Sequence, residues 1–301
     1  MSLELKNKLK IRAKGLKTVR SFFEERGVVE VDTPILSSYA PIDPHIDLFE
    51  VSYSDNRLAY LHSSPEYGMK KILAHGIGDI YQLGHVFRKG ELGPLHLPEF
   101  TLIEWYRTQT TFESFLKDNL DLLFHFLGKQ PWEILTYREA FETYLGVPWD
   151  APQKDLLEQA KDLQIHDPSD LINIIWGCKI EPKLGEKGVT IITDYPKNQA
   201  ALAQTKMVNE EEVSERFEFY FQGVELGNGY HELTDPIEQE NRLIRANQER
   251  ISLGKQPLPI DTQLIDALKK GLPDCYGIAL GFDRLLMFQM GLNQIEPHPD
   301  L

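Results

Sequence analysis

Two glutamates in one short segment, Glu218 and Glu225, are the first candidates for chemistry. The residues around them alternate apolar and polar, as in a β-strand with one buried face. A two-residue turn at Gln222-Gly223 sets Tyr220 opposite Glu225 and makes the two glutamates diagonal neighbours, about 7–8 Å apart at the backbone. Such carboxylates suit Mg²⁺ bound together with phosphates. The alternative is two solvated glutamates on an exposed sheet face.

A third acid, Glu232, follows shortly after this hairpin. The intervening residues include Asn228 between two glycines, a pattern that marks a bend or a close approach of the backbone. A basic substrate needs a carboxylate to pair with its ammonium group. Glu232 is therefore a candidate ligand for a substrate amine.

Two arginines stand where each could bind a phosphate. Arg88 follows a predicted strand, and Arg284 begins an apolar helix directly after Asp283. Phe100, at the start of the next strand after Arg88, is an aromatic ring on which a nucleobase could stack. A single strand-end arginine is usually part of a surface ion pair. Two arginines together with the acid pair favour a nucleotide site.

The elements that must position these residues are predicted from hydrophobic spacing and helix-capping signals. Strands mixed with irregular helices indicate an α+β fold with an antiparallel sheet rather than regular βαβ winding. We expect one domain over residues 1–301, with a helical insertion at about residues 128–190. The predicted helices end near Arg26, Leu73, Leu127, Leu253 and Lys270, and the predicted strands cover residues 28–32, 57–62, 79–86 and 100–106.

Composition limits the kind of protein. The chain has 301 residues, a net charge of −14 and 10% aromatic residues, which excludes a disordered chain and argues against general nucleic-acid binding. No apolar run is long enough for a membrane span, and the start of the chain has no secretory pattern. Two distant cysteines, Cys178 and Cys275, fit a cytoplasmic protein. Residues 1–20 carry seven basic side chains and one acidic one, which is either a solvated helix face or a docking strip for an anionic partner.

Three segments together resemble the motifs of the class II aminoacyl-tRNA synthetases. The helix and strand up to Pro34 resemble motif 1, residues 87–100 resemble motif 2, and Gly281-Phe282-Asp283-Arg284 resembles motif 3. Residues 64–66, 98–106 and 225–233 are similar to the lysyl branch. Motif 1 begins so early that we expect no anticodon-binding domain. The chain most resembles the truncated lysyl-tRNA synthetase paralogues that modify translation elongation factor P.

The resemblance implies activation of an amino acid by ATP with Mg²⁺, through an aminoacyl adenylate. It gives Arg88 the α-phosphate and the carboxylate, Arg284 the γ-phosphate, and the acid pair Glu218 and Glu225 the metal. Phe100 and Arg284 would enclose the adenine. Departures at Gly90, Pro94 and Leu97 alter expected nucleotide contacts but leave both arginines in place, so activity is expected. The implied ATP-binding set is Arg88, Lys89, Gly90, His96, Leu97, Phe100, Glu225, Leu226, Gly281 and Arg284.

The resemblance also implies a pocket for a lysine-type amino acid, with Tyr106 and Glu232 at the side-chain end. Ala279 stands where lysyl-tRNA synthetases usually have glycine, which would reshape the pocket for a β-amino acid. The implied pocket set is Ser64, Pro65, Glu66, Glu104, Tyr106, Asn228, Glu232 and Ala279.

The implied activity is ATP-dependent transfer of (R)-β-lysine to a lysine of elongation factor P. The enzyme is expected to be a cytoplasmic homodimer that binds neither a membrane nor a tRNA anticodon. Two alternatives stay open. One is a related enzyme that passes its adenylate to another acceptor, or that resembles asparagine synthetase A. The other is a non-catalytic regulatory paralogue, which would usually lack a motif arginine.

Overall fold

The computed structural model describes residues 3–163 and 171–296, which divide into two compact units. The first unit is drawn from Met1–Gly128 and Glu232–Leu301, and the second unit from Lys129–His231. The predicted insertion and the second unit therefore begin together, but the second unit extends beyond residue 190. Residues 164–170 of the predicted insertion lie outside the described residues. The single domain over residues 1–301 stays a prediction.

The first unit combines four neighbouring strands of the main sheet with helices and a small second sheet. Its helices are α1 (Leu3–Glu24), α2 (Glu66–Leu73), α3 (Phe112–Leu127), α7 (Pro236–Ser252), α8 (Thr262–Gly271) and α9 (Phe282–Gln289). Its strands are β1 (Val29–Glu30), β2 (Leu36–Ser37), β3 (Glu50–Ser52), β4 (Leu58–Leu61), β5 (Ile80–Phe87), β6 (Glu99–Thr108) and β14 (Cys275–Gly281).

The main sheet of the first unit has the order β1-β5-β6-β14, and β2-β4-β3 form the small sheet. Strand β1 is parallel to β5, and the other pairs are antiparallel. In this register Glu104 of β6 lies between Gln82 of β5 and Ala279 of β14. The sheet thus brings residues from three distant segments to one place.

Aromatic side chains fill the core between this sheet and its helices. Phe23 of α1 stacks on Tyr81 with ring centroids 4.2 Å apart, and Trp105 stacks on Phe115 of α3 at 4.5 Å. The indole nitrogen of Trp105 donates a hydrogen bond to Asn119, so burial leaves this polar group satisfied. Helix α3 has the predicted bounds, and Thr111 caps its first turn by accepting a hydrogen bond from Ser114.

Helix α1 carries the basic run of residues 1–20. Within it Lys8 and Arg20 form ion pairs with Glu296 and Glu30. The remaining lysines on its outer side are exposed at helical spacing: Lys6, Lys10, Lys14 and Lys17. Both interpretations of this run stay open, but two of its basic side chains, Lys8 and Arg20, form ion pairs within the chain.

The described residues of the second unit form strands β7 to β13 and three α-helices. The strands β13-β12-β8-β7 are neighbours in that order, and β10-β11-β9 form a separate sheet. Its core is aromatic and includes Tyr137, Trp176, Tyr195 and Tyr220. The elements are β7 (Trp132–Thr136), α4 (Tyr137–Leu145), α5 (Gln153–Gln159), α6 (Leu171–Ile175), β8 (Val189–Thr193), β9 (Tyr195–Pro196), β10 (Thr205–Val208), β11 (Glu211–Ser214), β12 (Arg216–Phe221) and β13 (Val224–His231).

The predicted α+β class with a largely antiparallel sheet is confirmed. The residues whose side chains could take part in catalysis or binding lie on sheet strands and on the segments next to them. Within the described part of the chain, no helix has both the length and the apolar character to cross a membrane.

Candidate active site

Glu104 is the centre of a buried polar cluster in the first unit. It lies on β6 with 2% of its surface exposed. Ser64 Oγ donates to one carboxylate oxygen at 2.7 Å, and Tyr106 Oη donates to the other at 2.7 Å. Ser64 lies just before α2, and Pro65 occupies the capping position of that helix. The start of α2 therefore delivers a hydroxyl to the carboxylate.

A second group of charges adjoins α2. The ammonium nitrogen of Lys70 lies 2.6 Å from a carboxylate oxygen of Glu66, one helical turn earlier, and 2.6 Å from one of Glu232. Glu232 is buried, and its backbone N–H donates to the carbonyl of Cys275 at 3.0 Å, which aligns it beside β14. Lys70 was not predicted from the sequence, although its spacing of four from Glu66 is typical of a helical ion pair.

Burial changes the protonation behaviour of this cluster. Burial, together with the negative charge of Glu66, raises the pKa of Glu104 to about 8. Burial and the charge of Glu104 also raise the pKa of Tyr106 well above its ordinary value. Both side chains therefore hold their protons at neutral pH while no cation is beside them.

Strand β14 affects the cluster through the space that its small residues leave, not through charge. Ala279 is paired in register with Glu104, and Gly277 with Tyr106. A Cβ atom at Gly277 would lie 2.3 Å from Glu232 Oε1 and 2.4 Å from Tyr106 Cε1. Because Gly277 has no side chain, Glu232 and Tyr106 can approach β14 closely.

Arg88 lies directly after β5, as predicted. Its guanidinium lies over the ring of Phe100, 5.1 Å from the centroid, and 3.8 Å from the carboxylate of Glu91. Its Nε is buried, and no described residue accepts a hydrogen bond from it. A buried donor without a partner is costly, so this atom is suited to an anionic ligand.

The second arginine, Arg284, also meets the loop between β5 and β6. Its guanidinium lies 2.9 Å from the ring nitrogen of His96 and donates to the carbonyl of Leu95 at 3.4 Å. Burial and the positive charge of Arg284 lower the pKa of His96, which keeps the ring neutral. Arg284 follows Gly281, which occupies the N-cap position of α9.

Two further backbone groups of the loop were predicted to line the nucleotide. The N–H of Lys89 donates to the carbonyl of Asp47, and Gly90 has a φ of +85°, a conformation that favours glycine. Leu97 is half-buried.

Arg12 of α1 braces the start of α9. It contacts Asp283 at 2.5 Å and donates to Thr101 Oγ1 of β6 at 2.6 Å, and Asp283 accepts from the Thr101 N–H at 2.6 Å. These contacts tie the residue before Arg284 to two other elements. The sequence analysis missed this brace because Arg12 stands in a run of similar basic residues.

Arg12→Met is expected to lower the free energy of unfolding by about 2–3 kcal/mol, since it leaves the buried Asp283 without its cation. It should also lower kcat/KM for ATP about tenfold, because α9 then holds Arg284 less firmly. Thermal unfolding and ATP–pyrophosphate exchange measure the two effects. Arg20→Met, which breaks an exposed pair with Glu30, is the matched control and should change neither by much. An Arg12 variant that matches this control would contradict the brace.

In the second unit the hairpin has the predicted turn and the predicted pairing of Tyr220 with Glu225. A bulge at Leu226 shifts the register beyond that pair, so that Glu218 lies opposite Asn228. Glu218 is 4% exposed, which excludes a solvated position for it. Leu226 is buried as well.

Glu218 already has partners within the second unit. Its carboxylate accepts hydrogen bonds from the hydroxyls of Tyr195 and Tyr220 and pairs with Arg216. Arg216 Nε also donates to Asn228 Oδ1 at 3.3 Å. The predicted metal ligand is thus fixed in orientation by three neighbours. Tyr220 was placed on this hairpin from the sequence, but its contact with Glu218 and the contacts from Tyr195 and Arg216 were not predicted.

The structure therefore gathers the predicted residues in two sets. The first unit brings together the pocket residues around Glu104, and it brings Arg284 of α9 to the loop between β5 and β6 that carries Arg88. The second unit brings together Glu218, Glu225, Leu226 and Asn228 on one hairpin. In each set, residues lie next to one another because of strand pairing or because they stand at the start of a helix.

Comparisons with curated proteins and with family models agree on the family of this chain. The chain is 40% identical to the elongation factor P--(R)-beta-lysine ligase of Pasteurella multocida (strain Pm70), with 95% of this chain and 91% of that protein covered. Proteins of the same name from Salmonella arizonae and Mannheimia succiniciproducens are 40% and 39% identical, with 98% and 95% of this chain and 94% and 91% of those proteins covered. The family model for tRNA synthetases class II (D, K and N) matches residues 1–297. The chain belongs to this class II tRNA synthetase family.

Proposed function

We propose that this chain is an ATP-dependent ligase that activates (R)-β-lysine as an adenylate and transfers it to a lysine side chain of elongation factor P. The observation that carries the proposal is the polar cluster of the first unit, which contains the carboxylates of Glu66, Glu104 and Glu232. Buried carboxylates are stable when cations compensate them, and a diamino acid supplies two ammonium groups. The names of the relatives support the same substrate pair.

The first step proposed is attack by a carboxylate oxygen of the amino acid on the α-phosphorus of ATP. The new phosphorus–oxygen bond forms as the bond to pyrophosphate breaks. Arg88 binds the α-phosphate and the attacking carboxylate, for which its buried Nε is available. Arg284 binds the γ-phosphate. The residues act by positioning and by opposing negative charge, and no covalent enzyme intermediate is needed.

In the second step the amine of the target lysine attacks the carbonyl carbon of the adenylate. An amide bond forms, AMP leaves and the attacking nitrogen gives up a proton. The acids around Glu104 hold the amines of the substrate throughout, so the carboxyl end stays free to react. An aspartate-type substrate fits this pocket poorly, because its second carboxylate would meet buried acids.

We also propose that Glu218 and Glu225 hold Mg²⁺. The support is the ligand type and the place of the two residues: both are carboxylates, which Mg²⁺ prefers, both lie on one hairpin, and Tyr195 and Arg216 orient Glu218. When bound, the ion supplies positive charge that opposes the charge of the phosphates. The homodimer that motif 1 implies stays a prediction, and the exposed Val29 and Ile35 provide apolar surface for it.

The test is mass spectrometry of elongation factor P after incubation with the enzyme, ATP and one amino acid at a time. We expect a gain of one lysyl residue, faster with (R)-β-lysine than with α-lysine, and no gain without ATP. ATP–pyrophosphate exchange is measured in parallel. Exchange without a mass change would favour another acceptor, and the absence of both would favour the regulatory alternative.

A further inference from the structure

Lys70 is a buried cation inside the pocket that binds the substrate amines. Its side chain has 0% exposure, and its ammonium nitrogen lies 2.6 Å from both Glu66 and Glu232. Lysine is rarely buried unless it is paired. The chain therefore places a cation of its own where a cationic substrate is expected to bind.

The charge of Lys70 is secure in this position. Burial by itself lowers the pKa of its ammonium group, but the charges of Glu232 and Glu66 outweigh burial and raise that pKa above the ordinary value for lysine. The ammonium group therefore stays protonated throughout the physiological pH range. It contacts one oxygen of each carboxylate.

We propose that Lys70 is a positioning residue for the amino-acid substrate: its ammonium group keeps Glu66 and Glu232 ionised in the empty pocket and leaves Glu104 as the acid that ionises when the substrate amines bind. The identity of the substrate rests on the function proposed above. Three ionised carboxylates and one ammonium give a net charge of −2, which matches the two ammonium groups of a diamino acid.

The surroundings of Glu104 account for its separate behaviour. The groups that face it are the hydroxyls of Ser64 and Tyr106 and the carboxylates of Glu66 and Glu232. The strand neighbours in register with it, at residues 82 and 279, do not titrate.

The pKa of Glu104, about 8 in the empty pocket, lies above neutral pH, so the side chain is protonated there. An arriving ammonium group favours the carboxylate form and drives the proton out. Substrate binding at pH 7 should release about one proton and tighten as the pH rises towards 8.

Isothermal titration calorimetry of the full chain with (R)-β-lysine, repeated in buffers of different ionisation enthalpy, counts this proton. The wild type should release about one. In the Lys70→Met variant, Glu66 and Glu232 share one buried site with no cation beside them. One of these two carboxyl groups therefore keeps a proton until the substrate binds. We expect this variant to bind at least tenfold more weakly at pH 7, to release about two protons and to regain affinity at higher pH.

Lys71→Met is the matched control. Lys71 is the next residue of α2 and pairs with Asp261 at the start of α8, so its loss should leave the proton count and the affinity unchanged. A folded Lys70→Met variant that behaves like this control would overturn the proposal. A general structural role would lower stability without changing the proton count.

If Lys70→Met does not fold, Lys70→Met/Glu66→Gln removes one acid together with its cation. It should fold and release about one proton. If it does not fold either, the wild type decides: about one proton supports the proposal, and none, or two or more, overturns it. A wild type that binds no diamino acid at all would contradict the proposed function instead, which separates the two failures.

Discussion

Arg88→Ala is expected to lower the rate of ATP–pyrophosphate exchange by about 10³-fold. Arg88 Nε is buried and has no acceptor among the described residues. Its guanidinium is instead held over Phe100, 5.1 Å from the ring centroid. Such a donor is aligned for a partner that arrives with the substrate, and the α-phosphate with the attacking carboxylate supplies the required negative charge.

The same variant should keep its stability within about 1 kcal/mol of the wild type. Removing Arg88 loses a cation–π contact, but it also removes a buried donor that lacks a partner, and the two effects oppose each other. Thermal unfolding measures this. Large loss of activity at constant stability distinguishes an arginine that binds substrate from one that holds the fold together.

Arg57→Ala is the matched control for Arg88. Arg57 is exposed and pairs with Asp55, so its removal should change neither exchange nor stability by much. Arg88→Lys should give an intermediate rate, because a lysine keeps the charge but not the planar pair of donors. An Arg88→Ala variant that folds and exchanges within tenfold of the wild type would remove Arg88 from the phosphate-binding role.

The features that sequence reasoning found are those with a local cause. The turn at Gln222-Gly223 sets the pairing of Tyr220 with Glu225, and a capping threonine with helical spacing sets the bounds of α3. Ser64 and Pro65 before α2, with Glu66 in its first turn, likewise signal a helix start. In each case neighbouring residues determine the structure.

The features that it missed depend on contacts between distant segments. The spacing of Lys70 from Glu66 is visible in the sequence, but nothing local shows that Glu232 completes the ion pair. The same holds for Arg12, whose partner Asp283 lies near the other end of the chain. Short strands such as β2 and β9 have too few residues to show a period, and their pairing comes from neighbours.

Gly277→Ala is expected to lower kcat/KM for the amino acid by about 10²-fold. The added Cβ would lie 2.3 Å from Glu232 Oε1 and 2.4 Å from the ring of Tyr106, so at least one of these two groups must move. Tyr106 donates to Glu104, and Glu232 pairs with Lys70, so a shift of either disturbs the whole pocket. Overpacking of this kind also costs about 1–3 kcal/mol of stability.

The KM for ATP separates this effect from a general loss of structure. Gly277 contacts the amino-acid pocket, whereas the nucleotide contacts are proposed for Arg88 on the loop between β5 and β6 and for Arg284 of α9, which contacts that loop. We therefore expect the KM for ATP to change by less than about threefold in Gly277→Ala. Gly84→Ala on β5 is the matched control, because its Cβ would meet Gln82 at an ordinary 3.7 Å. If Gly277→Ala raised the KM for ATP and left the KM for the amino acid unchanged, the carboxylates of Glu66, Glu104 and Glu232 would not form the amine-binding pocket.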